Sequence, residues 1–375
     1  MATVGVEETQ FFCYVAGTDV SVRWASRLDW LECSDYAGEV ADTCSIGLDD
    51  SGGQLVLPAK GAPIQIALGP KNGTAQIVFD GIVDDVRSEC GHGEGMMLIV
   101  DGKTADTKGK QKTRRNAHHD DKTIGYAMQD AAQWAGVDLS VAPRIAQLKR
   151  KYIAQDYESF LHFIQRLAHE VGGTFKMIGG TRGVVLDRNS GKTVGGSSIA
   201  DVIAIRDPAN PANSNLIAWK ISPLLTRPRF TEIRTRYYDR DKAKYVEKKV
   251  EVEGAKNDPQ AQANDLSTYS GAGDDDSEQM STGSAMESQR EKGAGEVKID
   301  GNAAARAEGT LTLIGARPGV DGNYIMDLVT QDFDASKGWV TTIKVRRPDA
   351  KDDSRGGGYT GAGEAEQGGV TELPK

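Results

Sequence analysis

The residues with the most obvious potential for metal chemistry are a histidine–aspartate run in a chain of 375 residues. Residues 118–121 read His-His-Asp-Asp, and imidazole and carboxylate groups are common metal ligands. However, adjacent side chains on a strand or helix point in different directions, and no further ligand follows one helical turn later. The surrounding segment is polar. The pattern therefore favours a solvated loop, with a metal site as the alternative.

Two other patterns could support acid–base or hydrolytic chemistry. His162 and His169 lie seven residues apart beside the apolar face of a predicted helix, which favours histidines at the boundary of a core over a general base. Carboxylate pairs such as 49–50 and 84–85 lie at predicted turns or strand edges, whereas a glycosidase needs two carboxyl groups about 5 to 9 Å apart across a cleft. The sequence has no G-x-S-x-G elbow and no lysine-bearing phosphate loop. It predicts no catalytic residue, no metal and no cofactor.

The four cysteines, Cys13, Cys33, Cys44 and Cys90, all lie in the first quarter of the chain and form no C-x-x-C pair. One interpretation is four small buried side chains. The other is one or two disulfides within an N-terminal β domain, and four cysteines allow three complete pairings among which the sequence does not choose. Cys90 and His92 point the same way on a predicted strand, but a neighbouring turn explains them better than a catalytic pair does.

Composition narrows the class of protein. The net charge is −9, which disfavours a nucleic-acid binder driven by phosphate contacts. No run of eighteen apolar residues is present, so no membrane insertion is expected, and the first residues lack the pattern of a secretory signal. We therefore expect synthesis and folding in a cytosol. A hydrophobic fraction of 38% with 44 glycines indicates several modest β-rich domains.

The order of elements is mainly β with a central α+β unit. Residues 10–100 read as strands with short turns, including a hairpin at Asn72-Gly73. A basic run from Lys103 to Lys122 predicts a solvated loop, with contact to an acidic partner as the alternative. Two helices follow, one from Thr123 to a stop at Gly136 and one from near residue 156 to a glycine stop, and a hairpin then turns at 179–180.

The second half returns to strands around a segment of different composition. Alternating apolar residues predict strands within 216–252 and 309–345. Between them, residues 254–296 contain nine acids against three bases and few large apolar side chains. Such a segment cannot bury enough surface to offset its ordering entropy, so we expect it to be flexible and protease-sensitive in isolation and partly ordered in an assembly.

The helix that begins near residue 156 carries the most specific pattern in the chain. It resembles the baseplate hub proteins of contractile phage tails, a family that includes the late control protein D group and the N-terminal hub part of type VI secretion spike (VgrG) proteins. In that family a Tyr-x-x-Gln-x-x-x-Ser-x-x-x-Phe pattern introduces a helix that ends in Gly-x-x-Phe. The matching residues here are Tyr152, Gln155, Ser159, Phe163, Gly172 and Phe175. Segments 79–106 and 322–343 resemble further parts of the family in the same order, although Gln331 stands where histidine is expected.

The resemblance implies an α+β, mainly β fold with two related β-barrel domains and an inserted small α+β domain. The implied organisation is a first barrel at 1–115, the α+β domain at 116–215, a second barrel from 216–253 and 297–348, an acidic insertion at 254–296 and a glycine-rich tail at 349–375.

The resemblance also implies an assembly. Three chains would form a pseudo-sixfold ring that adapts a hexameric tail tube to a trimeric central spike and surrounds the DNA or effector channel. Tube, spike, baseplate wedge and tape-measure proteins are the implied partners, and the spike would be a separate chain. The implied location is the virion tail baseplate, after synthesis in the host cytoplasm. The competing hypothesis is a tail-associated cell-wall hydrolase or a glycan-binding tail protein.

Overall fold

The structure is a computed structural model that describes residues 9–37, 41–91, 95–106, 109–187, 191, 199–222, 230–239, 242–251, 263–271, 277–282 and 294–346. Its helices are α1 (Ser21–Ala25), α2 (Ile124–Ala135), α3 (Pro143–Ala146) and α4 (Phe160–Glu170). Its strands are β1 (Thr9–Val15), β2 (Thr18–Asp19), β3 (Leu28–Tyr36), β4 (Thr43–Asp49), β5 (Pro63–Pro70), β6 (Gln76–Gly91), β7 (Gly95–Lys103), β8 (Arg114–Thr123), β9 (Asp138–Val141), β10 (Lys149–Ser159), β11 (Gly173–Ile178), β12 (Arg182–Asp187), β13 (Val202–Ile205), β14 (Leu216–Ile221), β15 (Phe230–Asp239), β16 (Lys244–Glu251), β17 (Ala263–Gly271), β18 (Ala294–Asp300), β19 (Thr310–Ile314), β20 (Gly322–Asp334) and β21 (Gly338–Arg346). The predicted mainly β, α+β class is confirmed.

The largest sheet joins the beginning of the chain to its end. Its thirteen strands run in the order β14-β18-β21-β20-β3-β4-β7-β6-β5-β1-β2, with β19 also beside β20 and β13 beside β19. Strand β3 is the link, because it pairs antiparallel with β20 along one edge and with β4 along the other. The two regions that the sequence assigned to separate barrels therefore share one hydrogen-bonded sheet.

Alternation of side chains explains why the N-terminal strands bury one face. Cys44, Ile46 and Leu48 of β4 all lie in the core, and the residues between them are less uniformly apolar. Strand β5 repeats the pattern with three aliphatic side chains at alternate positions. The predicted hairpin at Asn72-Gly73 is confirmed, since β5 and β6 pair antiparallel on either side of it.

The α+β unit has its own core. Helices α2 and α4 contact a three-stranded sheet of order β11-β12-β9, and the buried cluster includes Met128, Phe160, Phe163 and Phe175. The first predicted helix begins and ends as expected: the Thr123 hydroxyl accepts a hydrogen bond from the Tyr126 backbone N–H at 3.2 Å, and Gly136 follows the last turn in a left-handed conformation. The hairpin of β11 and β12 is also confirmed.

Two stretches differ from the sequence-based expectation. Residues 114–123, predicted as a polar loop, form β8, which pairs with β10 as a separate two-stranded ribbon. Polar composition did not exclude a strand here, because most of the β8 side chains are exposed or half-buried. The second helix starts at Phe160 rather than near 156, because the preceding residues extend β10 through a β-bulge at Gln155–Glu158.

The acidic segment 254–296 contains regular structure in the parts that are described. Strand β17 lies within it and pairs parallel with β15, and residues 277–282 form a short helix. The Thr235 hydroxyl donates to the Ser277 carbonyl at 2.9 Å and lies 2.6 Å from the Ser281 hydroxyl, so this helix is attached to β15. The rest of the segment up to residue 293 and the predicted tail at 349–375 lie outside the described residues. Among the described residues, no helix is long and apolar enough to cross a membrane.

Candidate functional site

The predicted family motif lies where β10 turns into α4. The Ser159 hydroxyl caps α4 by accepting a hydrogen bond from the His162 N–H at 3.3 Å. Phe163 is fully buried, and Gly172 has a φ of +70°, which a glycine adopts without steric cost. Phe175, on β11, meets the ring of Phe160 edge to face with centroids 5.8 Å apart. These four motif positions are the helix cap, the core and the stop that the sequence pattern requires.

The other two motif residues differ in exposure. Gln155 is buried and its side-chain amide donates to the Glu158 carbonyl at 3.0 Å, which stabilises the bulge of β10. Tyr152 is 49% exposed on the two-stranded ribbon. The motif therefore builds the α+β unit and leaves one aromatic ring at the surface.

An ion network holds α4 to β10. The Arg166 guanidinium donates to both carboxylate oxygens of Glu158, at 2.9 and 2.8 Å, and to the carboxylate of Glu170 at 2.9 Å. It also donates to the Ala154 carbonyl at 2.8 Å. All partners lie within twelve positions of Arg166, so we refer to this local set as the helix network. A bidentate pairing of this kind fixes the geometry of both side chains.

A second charged cluster lies between regions that are far apart in sequence. The Lys176 ammonium, on β11, donates a hydrogen bond to the Asp35 carboxylate and lies 3.1 Å from the Asp42 carboxylate. The side chains of Lys176, Asp35 and Asp42 are 24%, 15% and 15% exposed. A lysine of the α+β unit therefore pairs with two carboxylates that flank the connection from β3 to β4. We call these three residues, with Arg306, the junction cluster.

Burial disfavours the charged forms of these groups, and their mutual attraction opposes that effect unequally. For Lys176, burial acts to lower the pKa, but the two carboxylates outweigh it and the pKa is raised. For Asp35, burial acts to raise the pKa, but attraction to Lys176 and Arg306 outweighs it and the pKa is lowered. For Asp42, attraction to Lys176 does not outweigh burial and repulsion from Asp35, so the pKa is raised to about 7. Lys176 and Arg306 together offset the effect of burial on Asp35, whereas the effect of burial on Asp42 is not offset.

The closing region of the chain completes the junction. The Ala307 backbone N–H donates to the Asp35 carboxylate at 3.2 Å, and the Thr174 hydroxyl donates to the Glu308 carboxylate at 3.2 Å. Arg306 donates to the carbonyl of Ile77 on β6. The junction thus brings together β3 and β6, the α+β unit, and the segment that precedes β19.

The glycine turn of the β11–β12 hairpin also contacts the N-terminal region. The Gly179 N–H donates to the Asp80 carbonyl at 3.1 Å, and the Gly180 N–H donates to the Thr104 carbonyl at 3.0 Å. Gly180 has a φ of +80°, and a Cβ atom added there would lie 2.8 Å from the Ile82 side chain. Glycine is therefore required both by the backbone conformation and by the close approach.

A cavity of about 310 Å³ lies within the junction. Its walls combine the charged groups with apolar side chains from β6, β11 and β12, including Val78, Phe79, Ile178 and Val184. The cavity also contacts Thr104 and Glu308. The arrangement binds regions of one chain to each other.

The residues that the sequence singled out for chemistry are dispersed. His118 and His119 are adjacent on β8, so their side chains point to opposite faces of the ribbon, as predicted for neighbouring residues. The ring of His119 contacts the ring of Tyr126, with centroids 5.6 Å apart. Among the described residues, no group of three or more histidine, cysteine, aspartate or glutamate side chains is arranged to hold a metal ion. His92, considered as a partner of Cys90, lies outside the described residues.

The cysteines are not bonded in the structure. Cys13, Cys33 and Cys44 are buried and Cys90 is exposed, and all four are free thiols. The sulfur atoms of Cys33 and Cys44 lie 3.2 Å apart. Three of the four side chains thus match the interpretation as small buried groups, and the pairing of any disulfide remains a prediction.

Gln331, noted in the sequence as a departure from the family pattern, is buried with all of its side-chain polar atoms in use. Its amide nitrogen donates to the Asn302 carbonyl at 2.9 Å. Its amide oxygen accepts from the Trp339 indole N–H at 2.9 Å and from the Thr341 hydroxyl at 2.8 Å. The glutamine therefore ties the β20–β21 hairpin to the loop after β18.

Sequence reasoning missed the junction cluster. Lys176 alternates with Phe175 and Met177 on β11, a pattern that predicts a solvated lysine on the outer face of a strand. Its partners lie more than 130 positions away, and no local feature of the sequence marks them. Only the docking of β11 against the connection from β3 to β4 turns that outer face inward.

Comparisons of this chain with known proteins agree on one family. The family description of the phage tail baseplate hub (GPD) matches residues 47–336. The probable baseplate hub protein of Escherichia phage P2 is 29% identical over 188 residues, which cover 50% of this chain and 48% of that protein. The corresponding protein of Escherichia phage 186 is 27% identical over 197 residues, which cover 52% and 50%. The chain spans about half the length of the curated relatives it matches.

Solved structures show the same fold at low sequence identity. The 43 kDa tail protein of prophage MuSo2 from Shewanella oneidensis has a TM-score of 0.65 at 12% identity, covering 91% of this chain and 99% of that chain. A tail protein from Neisseria meningitidis MC58 has a TM-score of 0.65 at 13% identity, covering 91% and 97%. A type VI secretion component of E. coli has a TM-score of 0.52 at 11% identity, covering 87% and 74%. Because the family description extends over most of the chain, this protein belongs to the phage tail baseplate hub (GPD) family.

Proposed function

We propose that this chain is the structural hub subunit of a contractile-tail baseplate. In this proposal three copies form a ring of approximate sixfold symmetry that meets a hexameric tail tube on one face and a separate, trimeric central spike on the other. The observation that carries the proposal is the family match over residues 47–336. The chain would be made in the host cytoplasm and would function in the virion tail baseplate, with wedge and tape-measure proteins as further neighbours.

The architecture supports a mechanical role for each subunit. Hydrogen bonds between β3 and β20 connect the N-terminal and C-terminal strands in one sheet, and the junction cluster ties the α+β unit to both. A subunit that transmits force between a tube and a spike needs such connections between its regions. The two related barrels, the division into domains, and the α+β unit as a buttress outside the ring are parts of the proposal.

We further propose that the ring surrounds the channel for DNA or effectors. A net charge of −9 would disfavour adhesion of DNA to the channel wall. In this proposal the chain neither binds nucleic acid in a sequence-specific way nor inserts into a membrane.

The test is the mass and shape of the purified chain in solution. Multi-angle light scattering should give about three times the chain mass of 40.2 kDa, and electron microscopy should show a ring with six similar lobes on one face. A chain that stays monomeric even when mixed with its tube and spike proteins would contradict the proposal.

Lytic activity distinguishes the competing class. We expect no clearing when the chain is applied to a gel that contains bacterial peptidoglycan, with lysozyme as the positive control. A clearing zone that persists after repeated purification would favour the alternative, a tail-associated cell-wall hydrolase.

A further inference from the structure

Two cysteines face each other at the centre of the large sheet. Cys33 on β3 is paired directly with Cys44 on β4 in the antiparallel register. Their sulfur atoms are 3.2 Å apart, and both side chains are buried. A cross-strand disulfide requires that the two cysteines be paired on neighbouring strands and that their side chains point toward each other, and this pair meets both requirements.

The other two cysteines do not share this arrangement. Cys13 is buried in the same core cluster as Cys33 and Cys44, but it lies on β1, which pairs with β5 and β2 rather than with β3 or β4. Cys90 lies near the end of β6, opposite Met96, and its side chain is exposed. The structure therefore distinguishes among pairings that the sequence left open.

We propose that Cys33 and Cys44 form an oxidisable pair that closes into an intramolecular disulfide, and that Cys13 and Cys90 have no part in it. A disulfide has a sulfur–sulfur distance of about 2.05 Å, so the two sulfur atoms must approach by roughly 1 Å. Side-chain rotation and small strand movements supply such a shift without a change in register. The inference does not depend on the hub function.

The oxidation can proceed with a peroxide as the two-electron oxidant. One thiolate attacks a peroxide oxygen and the O–O bond breaks, which gives a sulfenic acid and one water molecule after proton transfer. The second thiol then attacks the sulfenic sulfur, the S–S bond forms, and the hydroxyl leaves as a second water molecule. In total two thiols and one hydrogen peroxide give one disulfide and two waters.

Burial makes this oxidation slow in the native protein. Burial, followed by the hydrogen bond with Cys33, raises the pKa of Cys44 well above its usual range, so little of it is thiolate at neutral pH. Burial likewise raises the pKa of Cys13 to about 12. The pair should therefore stay reduced in a cytosol and close gradually in an oxidising medium, after the exposed Cys90 has reacted.

The position of the pair gives the disulfide a structural consequence. The chain between Cys33 and Cys44 carries both Asp35 and Asp42, the carboxylates that bind Lys176. Strand β3 is also the strand that pairs with β20. A disulfide at this place would restrict the connection that supplies the junction cluster and would fix β3 to β4 beside the link between the two halves of the sheet.

The experiment uses the full chain with Cys90→Ser, which prevents intermolecular bonding. The folded protein is treated with hydrogen peroxide, remaining thiols are alkylated, and the denatured product is digested with trypsin and a protease that cleaves after glutamate. Trypsin alone leaves both cysteines in one peptide, residues 28–60, whereas cleavage after Glu39 separates them. Mass spectrometry should identify a Cys33–Cys44 linkage, lost on reduction, with Cys13 alkylated.

Two variants in the same background complete the test, with circular dichroism to confirm folding. Cys13→Ala should form the linkage at an unchanged rate, and Cys44→Ser should form no disulfide. A linkage that includes Cys13, or no intramolecular linkage in folded protein under peroxide that fully oxidises Cys90 in the parent chain, would overturn the proposal. If the variants misfold, the Cys90→Ser chain alone still decides the pairing.

Discussion

In the helix network and in the junction cluster alike, a basic side chain lies between two carboxylates. The two networks nevertheless connect different parts of the chain. Arg166 connects Glu158 and Glu170, which lie on the same helix–strand segment. Lys176 connects Asp35 and Asp42, which lie about 140 positions earlier in the chain. The first network therefore stabilises one unit, and the second holds separate regions together. The same chemistry has a local or a long-range role according to where the partners lie in the fold.

The largest expected effect is on the junction. Lys176→Met keeps most of the apolar side chain but removes the ammonium group that pairs with Asp35 and Asp42, so that only Arg306 still attracts Asp35. We expect a loss of about 3 to 5 kcal/mol in the free energy of unfolding, as when one partner of a buried ion pair is removed. Urea-induced unfolding measures the change, and Lys298→Met, at an exposed lysine, is the matched control. Equal effects for the two variants would mean that the junction ion pairs contribute no more to stability than a surface lysine does.

Gly180→Ala should have the next largest effect and tests the junction without altering a charge. The left-handed backbone costs an alanine roughly 1 to 2 kcal/mol, and the contact with Ile82 adds to that cost. Gly61→Ala is the matched control, since Gly61 has a φ of +78° but open space around its Cβ position. Hydrogen–deuterium exchange should increase at the amides of residues 179–180, which donate to Asp80 and Thr104, only in the Gly180 variant. If both variants behave alike, the close approach of the turn has no energetic importance.

Arg166→Met should cost less than Lys176→Met, about 1 to 2 kcal/mol. Its hydrogen bonds to Glu158 and Glu170 are charge-assisted, but its side chain is 33% exposed, so water screens the loss. Exchange should increase in β10 and α4 and stay unchanged at Asp35 and its neighbours on β3. An increase on β3 would show that the helix network reaches the junction as well.

Asp42→Asn should have the smallest effect at neutral pH and a characteristic dependence on pH. Because the folded pKa of Asp42 is raised from 3.8 to about 7, the folded state binds more protons than the unfolded state between those values. The contribution of Asp42 is therefore full below about pH 4 and is lost as the pH rises to about 7. Asparagine retains the acceptor for the Tyr36 N–H and does not titrate.

The measurement is the difference in unfolding free energy between the natural chain and Asp42→Asn from pH 4 to pH 8. The natural chain should lose stability relative to the variant across that window. A constant difference would mean that Asp42 titrates alike in both states. The lowered pKa of Asp35 has the opposite sign, since its contribution is lost only as the pH falls below about 4.

Local patterns in the sequence predicted elements with identifiable caps and alternation. The Thr123 cap, the Gly136 stop and the apolar face of α4 are encoded within a few residues, and the structure contains all three. The beginning of α4 was misplaced by four residues, because the bulge of β10 depends on Asn116, whose side chain accepts a hydrogen bond from the Tyr157 N–H at 2.6 Å. The family followed from the order of several motifs, none of them specific alone, and the family match confirmed it.

The mainly β class, the two principal helices and the α4 motif could be predicted because each depends on spacing over short stretches of chain, and the family could be predicted from the order of its motifs. The pairing of β3 with β20, the contact of Lys176 with two distant carboxylates and the opposition of Cys33 and Cys44 became visible only in the folded chain. Those contacts arise from strand pairing and docking between residues distant along the chain. Alternation fixes which side chains share one face of a strand, but the fold determines what that face meets.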